Sequence, residues 1–368
     1  MLRTVGVVEI ELTRTPERGQ LEVHSTWLQK KFLFYPLFPS GFDLRQGRAS
    51  SFLSLARASP SSQLGGCPGW NDLADAALRF FLKLGKIDHA QFDQLSQLPA
   101  RVKLSVAIGL ENQFETKIDF RSILEPSDAD KRAVGAKIYG HLAKLGRTFV
   151  TTNYDKWLDL PSATAPLLAE TAPDPSTASP ASKRSVYYLP EQFTDALSTP
   201  DTVLHIHGSV DSRESMILAT SDYLHRYASH RLSQDGIQEN SFLTFLEHLF
   251  RTKSVLFIGY SLSELEVLEY VIQKAKGAEA RTKTTDPREP QEEPRHYLLQ
   301  GFFTHEAALM RSFHDYYLRE CNIGLLPYSK DQRGWAQLID VLEYLAREIP
   351  VVGLLASQQR LEMEALLE

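Results

Sequence analysis

The chain has 368 residues, 43% hydrophobic and 23% charged, which excludes a disordered or fibrous chain and leaves ample material for a large core. Its formal net charge of -6 gives no support to binding driven by a nucleic-acid backbone. Two cysteines, Cys67 and Cys321, are too few for a zinc site held by four, and point to a reducing compartment, so a cytoplasmic location is expected.

The opening "MLRTVGVVEIELTRTPERGQ" intersperses charge among its valines and reads as neither a signal peptide nor a spanning helix. No later apolar run approaches membrane length. Residues 1–44 are expected to form a strand-rich extension, a hairpin of "VGVVEIELT" and "GQLEVHST" around a "PERG" turn. The main domain is expected over residues 45–345. There, "SFLSLARASPSSQLGGCPGW" leads from a strand through a loop into the helix "NDLADAALRFFLKLG", where Leu73, Ala76, Ala77 and Phe80 recur at helical spacing. Residues 133–146 give a second helix, followed by the short run "TFVTTNYD".

The Pro, Ala, Ser and Thr of "LPSATAPLLAETAPDPSTASPASKRS" predict a flexible loop at about 160–185. Order returns with "VLHIHGSV", a strand ending in His207 and Gly208, and "SMILATSDYLHRYA" continues to another short strand and a helix. The aromatic and basic residues of "YLHRYASHR" read as the solvated face of one helix. Next come the helix "SFLTFLEHLF", the strongest strand candidate "SVLFIGYS", and the helix "LSELEVLEYVIQKA" with a stripe of Leu262, Leu265, Leu268 and Ile272. After a charged loop, "LLPYS" is a last strand and "GWAQLIDVLEYLAREI" an amphipathic helix. Residues 346–368 are expected to form a helical tail. The alternation predicts an α/β fold, a mostly parallel sheet flanked by helices.

Three strand ends, "FVTTNYD", "LHIHGS" and "LFIGYS", pass within a few residues from apolar to small polar groups. In open α/β sheets such carboxyl ends gather around a ligand crevice. Asn153 offers an amide donor and a carbonyl acceptor for a ribose hydroxyl or a water, or else caps a helix starting at Tyr154 to Trp157. Asp155 orients a ligand or braces the loop, and Tyr154 packs. His207 suits proton transfer with a sugar hydroxyl. His205 lies on the same strand face, so periodicity does not choose between them, and Gly208 favours His207 because a glycine admits close approach. Gly259, Tyr260 and Ser261 present free N–H groups to a phosphate or ribose edge, while Ser261 with Glu264 also forms a capping box. No Walker A pattern, zinc-protease motif, nucleophile elbow or metal-spaced Cys/His cluster occurs.

The ordered series "TTNYD", "HGS", "SDY" at 221–223 and "GYS" resembles the sirtuin-like NAD-consuming domains of bacterial anti-phage defence systems, over about residues 45–345. The resemblance implies a Rossmann-like sheet that binds NAD as substrate and splits the bond between nicotinamide and ribose, with no metal. It places the catalytic pair on Asn153 and His207, and ribose contacts on Gly259 and Ser261, with Tyr260 between them. Thr151, Asp155 and Gly208 would line the same crevice. The family's phosphate loop, GAGxS followed by a glycine, a proline and a tryptophan, corresponds to "LARAS" at 55–59 and "GGCPGW" at 65–70, hence to Ala56, Arg57, Ser59 and Trp70. Leu55 and Arg57 replace both loop glycines, a departure from the pattern, and Arg57 offers a bidentate phosphate contact in exchange.

Classical sirtuin deacetylases carry a zinc module held by four cysteines, so the resemblance favours NAD glycohydrolase activity over deacetylation. Transfer of ADP-ribose to a macromolecule, or a nucleotide-binding scaffold without activity, are the alternatives. A toxic NAD-depleting effector implies control by homo-oligomer assembly or by a partner such as an ATPase, helicase or Argonaute-type protein. Neither a membrane nor direct nucleic-acid binding is indicated.

Overall fold

Short apolar runs buried on both faces are what a parallel sheet needs, and such runs build its centre here. The computed structural model describes residues 7–11, 51–56, 64–126, 128–146, 148–160, 184–199, 201–227, 230–233, 236–259, 294 and 296–348. In chain order the elements are β1 (Val7–Glu11), β2 (Ser51–Ala56), α1 (Trp70–Lys83), α2 (His89–Ser96), α3 (Ala100–Phe114), α4 (Phe120–Leu124) and α5 (Ala129–Ala143). They continue with β3 (Thr148–Thr151), β4 (Ser185–Tyr187), α6 (Pro190–Ala196), β5 (Thr202–His205), α7 (Thr220–Tyr227), β6 (His230–Ser233) and β7 (Gly236–Glu239). Then come α8 (Ser241–Thr252), β8 (Ser254–Ile258), β9 (His296–Phe302), α9 (Ala307–Tyr316), β10 (Ile323–Ser329) and α10 (Gln337–Glu348).

Among the described strands one sheet runs in the order β10-β9-β8-β1-β2-β3-β5-β4, and β2 also pairs directly with β8. Its pairings are parallel except those of β1, which runs antiparallel to β2 and β8. Strands β6 and β7 form a separate antiparallel ribbon. The fold is α/β, a mostly parallel, Rossmann-like sheet flanked by helices.

Alternation along the strands divides the core between two faces. Val150, Leu204, Val255, Phe257 and Leu298 face α6 and α8 through Phe193, Phe242, Phe245 and Phe250, and Met310 of α9 joins them. Phe149, Val203, Leu256, Ile258 and Leu299 face α5 and α10 through Ile138, Leu142, Leu338 and Leu342. A third cluster gathers α1, α3 and α4 with Tyr154, Met216 to Leu218 and Tyr223, segments that follow the ends of β3 and β5. This helical layer therefore packs on the loops at the carboxyl edge of the sheet.

Several expectations change. The buried stripe of α1 is Leu73, Ala74, Ala77, Leu78 and Phe81, with Ala76 and Phe80 only half-buried, so the helix is rotated from the predicted face. Strand β5 stops at His205, and His207 and Gly208 lie in the turn beyond it. Met216 to Ala219, expected as a strand, is buried coil between a 3-10 turn and α7. Its backbone is held locally instead, with Ile217 N–H donating to the His207 carbonyl at 2.9 Å. The "YLHRYASHR" segment is not one solvated helix face: α7 ends at Tyr227, Tyr223 is buried, and β6 follows. The second strand of the N-terminal hairpin, the helix at "LSELEVLEYVIQKA", most of the loop at 160–185 and the tail beyond residue 348 lie outside the described residues. Among the described residues no helix is long and apolar enough to cross a membrane. Cys67 and Cys321 are both buried, and they form no disulfide with one another.

Candidate functional site

The register of the sheet sets four strand ends level. Ala56 pairs with Ile258 on one side and Thr151 on the other, and Thr151 pairs with His205. Gly259 follows Ile258 directly with φ of 71°, a left-handed turn that glycine adopts without strain. Across this row the chain leaves β8, β2, β3 and β5 in the same direction, which is the geometry of a ligand crevice at a carboxyl edge.

The loops after β3 and β5 are laced together. Ile206 N–H donates to the Thr151 carbonyl at 2.8 Å, and Val210 N–H to the Tyr154 carbonyl at 3.0 Å. Asn153 sits between these two ties. Its own N–H donates to Thr151 Oγ1 at 2.9 Å, and its carbonyl lies 2.8 Å from His205 Nδ1. The Asn153 side chain is 2% exposed, with Nδ2 3.4 Å from the Tyr139 hydroxyl and Oδ1 without a partner among the described residues. Thr152 Oγ1 beside it is also buried without a partner among them. No helix starts at Tyr154, so the capping alternative for Asn153 fails.

Asp155 is the brace. Its Oδ1 accepts from Trp157 N–H at 3.1 Å, and burial pushes its carboxyl up to about 6, against the pull of that hydrogen bond and of the His205 charge. Trp157 stacks on Tyr139 with ring centroids 5.4 Å apart, and the small Gly135 makes room for the indole. Tyr154 packs as expected: its ring stacks on Trp70 at 5.9 Å and its hydroxyl donates to the Ile217 carbonyl. Trp70, the first residue of α1, thus touches the wall formed by the β3 loop, and its buried Nε1 has no partner among the described residues.

The two histidines separate cleanly. His205 is fully buried, with Nδ1 on the Asn153 carbonyl and Nε2 2.8 Å from Asp159 Oδ1. Burial disfavours its charge, but Asp159, the two hydrogen bonds and Asp155 outweigh that and raise its pKa. His207 is 4% exposed and belongs to an aromatic set: Nε2 lies 2.7 Å from the Tyr227 hydroxyl and Nδ1 3.4 Å from that of Tyr223. Both tyrosine rings meet the imidazole edge to face and stack on one another. Burial, then the charges of Arg226 and Arg101, pull His207 down to about 3, so it is neutral at physiological pH.

Asp222 of the "SDY" motif fixes this set, since its Oδ2 accepts from Leu218 N–H at 3.0 Å and Ala219 N–H at 2.8 Å and so locks the entry to α7. Arg101 of α3 lies 4.3 Å over the Tyr223 ring. The freedom of Gly208, with φ of 89°, is used by the chain itself: a Cβ there would come within 2.2 Å of the Ser215 carbonyl oxygen. Among the predicted residues, the structure thus brings Asn153, Thr151, Asp155, His207, Gly208 and Trp70 around the ends of β3 and β5, with Ala56 and Gly259 on the same row. Arg57, Ser59, Tyr260 and Ser261 lie outside the described residues. Leu55 is a residue of β2, paired with Val150 and Phe257. Its strand backbone makes no demand for glycine.

Tyr227, Tyr139 and Asp159 were not anticipated. Tyr223 and Tyr227 are four residues apart, the spacing that puts two side chains on one helix face, and that signal was legible. Nothing in the sequence ties Tyr139 or Asp159 to the strand ends. Among the described residues no cluster of His, Cys, Asp and Glu is arranged to hold a metal ion.

A parallel sheet with polar residues gathered at its carboxyl edge defines a Rossmann-like domain of sirtuin type. Residues 147–319 match the family of the SIR2-like domain, and such a domain is present in this chain. The match is consistent with the sirtuin-like, NAD-related domains often found in anti-phage defence systems, and SIR2-like domains generally engage NAD. The matched stretch contains Asn153, His205, His207, Tyr223, Tyr227 and Gly259, while β2 and Trp70 lie before it. No curated protein matches the chain.

Proposed function

We propose that the protein is an NAD glycohydrolase, and that it serves as the toxic effector of an anti-phage defence system. The observation that carries this reading is the buried Oδ1 of Asn153, without a partner among the described residues and aligned by β3 at the sheet edge that also carries His207. A buried acceptor left without a donor costs about 1–3 kcal/mol, and a ribose hydroxyl or the attacking water is a group that would satisfy it.

In the proposed reaction the bond between ribose C1′ and the nicotinamide nitrogen breaks, and its electron pair leaves with nicotinamide, which becomes neutral. A water oxygen bonds to C1′, the water's proton passes to solvent, and the products are nicotinamide and ADP-ribose. Asn153 positions the water or a ribose hydroxyl. His207, held neutral, exchanges the long 3.4 Å contact between its Nδ1 and the Tyr223 hydroxyl for a hydrogen bond from a sugar hydroxyl and so stabilises the oxocarbenium-like transition state without adding a charge that would repel it. Its low proton affinity suits this role better than that of a base that stores a proton. Trp70, the end of β2 at Ala56 and the turn at Gly259 would enclose the rest of the dinucleotide. Such an activity needs restraint in the cell, by assembly or by a partner protein.

Nicotinamide release from NAD, followed by chromatography, tests this reading. Asn153→Ala and His207→Ala are each expected to lower turnover by about 10²–10⁴-fold. Unchanged turnover in either variant overturns the assigned pair, and an ADP-ribose adduct seen by intact mass would redirect the reaction to transfer.

A further inference from the structure

His205 lies outside the proposed chemistry, yet it makes two short polar contacts behind Asn153. Both of its ring nitrogens face acceptors: a backbone carbonyl at 2.8 Å and a carboxylate oxygen at 2.8 Å. A neutral imidazole has one N–H and would present a lone pair to one of these oxygens. An imidazolium, with two N–H donors, satisfies both oxygens at once.

We propose that His205, as an imidazolium clamped between the Asn153 carbonyl and Asp159, is a positioning residue that fixes the backbone from which the Asn153 side chain reaches the crevice. The proposal deepens the glycohydrolase reading and rests on it for its consequence in turnover. Asn153 has its N–H tied to Thr151 Oγ1 on one side and its carbonyl tied to His205 on the other. With both backbone groups held by strand-end side chains, the direction of its Cα–Cβ bond is set by β3 and β5 together. Loss of the His205 proton forces one of the two contacts open, and the freed backbone no longer holds the side-chain amide in one place.

The charged groups that face His205 are known. Asp159 touches it and Asp155 adds a second negative charge from the same loop, while Arg184, whose Nη1 donates to the Leu158 carbonyl at 2.6 Å, interacts with Asp159 from the start of the β4 segment. The balance favours the cation, consistent with a raised pKa. By the linkage sign, a contribution of this kind is present below the ordinary histidine range and is lost as pH rises through the folded value.

The test uses the full chain labelled with 15N at histidine and asparagine. In the wild type at pH 7, both His205 nitrogens are expected to resonate as protonated. As pH rises, the Asn153 side-chain amide signal is expected to shift with the same midpoint as the loss of that proton. Asp159→Asn, which keeps an acceptor but removes the charge, should lower both midpoints together by about 1–3 pH units, and Asp159→Glu should restore them. Where NAD is hydrolysed, kcat should fall along the same curve with KM unchanged. An unprotonated His205 nitrogen at pH 7, or an Asn153 signal that stays still while His205 titrates, overturns the proposal. Absence of nicotinamide release from the wild type overturns the glycohydrolase reading instead, and is separable because the two resonances report without turnover.

Discussion

His207 takes up a proton near pH 6.5 in an unfolded chain and only near about 3 in this fold, while Asp155 moves the other way, from 3.8 to about 6. Between those limits the two residues act on stability with opposite sign. The unfolded chain binds the His207 proton that the folded chain refuses, so that contribution is present above the ordinary value and is lost as pH falls toward about 3. The folded chain keeps the Asp155 proton that the unfolded chain releases, so that contribution is present in acid and lost as pH rises through about 6. Over pH 4 to 6 they offset one another. Asp155→Asn removes one side of the balance, and its stability should fall more steeply on acidification than that of the wild type, by up to about 1.4 kcal/mol per pH unit. His207→Gln in the same background should flatten the slope again. Urea unfolding at a series of pH values measures both, and parallel curves for wild type and Asp155→Asn would refute the assignment.

At the scale of elements, α7 holds the histidine and the turn before it holds α7. Tyr227→Phe takes away the hydroxyl 2.7 Å from His207 Nε2 and leaves that buried nitrogen without its closest partner, a loss of about 1–3 kcal/mol readable as a lower urea midpoint. Gly208→Ala attacks the turn itself. The positive φ alone costs a non-glycine residue about 1–3 kcal/mol, and the Cβ must also displace the Ser215 backbone. Circular dichroism should show the fold weakened, and the His207 ring signals should move more than those of His205. Which elements were legible in the sequence follows from how each buries itself. Strands β3, β5 and β8 are short runs buried on both faces and announce themselves as apolar stretches ending in polar residues. The places of Asn153 and His207 were readable from those ends, while "SDY" was singled out only by the family resemblance. The segment Met216 to Ala219 is just as apolar and is no strand, because its polar backbone is satisfied by the His207 carbonyl and the Tyr154 hydroxyl instead of by a neighbouring strand. Periodicity cannot register a partner so distant in sequence. The same limit hid Asp159 behind His205, and it hid β9, whose "HYLLQGF" pairs with strands on both sides only once β8 and β10 are in place.

For the whole molecule, the decisive feature is where β2 lies. Six residues near the start of the described chain insert between β3 and β8, which both fall inside the stretch that matches the SIR2-like domain. Expressed alone, residues 147–319 would keep β3 with β5 and β8 with β9, and would expose the facing edge of each pair as a row of unsatisfied N–H and C=O groups. Such a fragment is expected to aggregate, and light scattering would show it; a monomer that unfolds cooperatively would contradict the sheet order. With the larger piece extended through β10 and α10, as residues 147–368, a soluble product should return when residues 1–146 are co-expressed on a separate polypeptide, since the missing strand can then add to both edges at once. The boundary of the recognisable domain and the boundary of the smallest folding unit are therefore different, and a two-piece reconstitution assay could report directly on any molecule that loosens or tightens β2 in its slot.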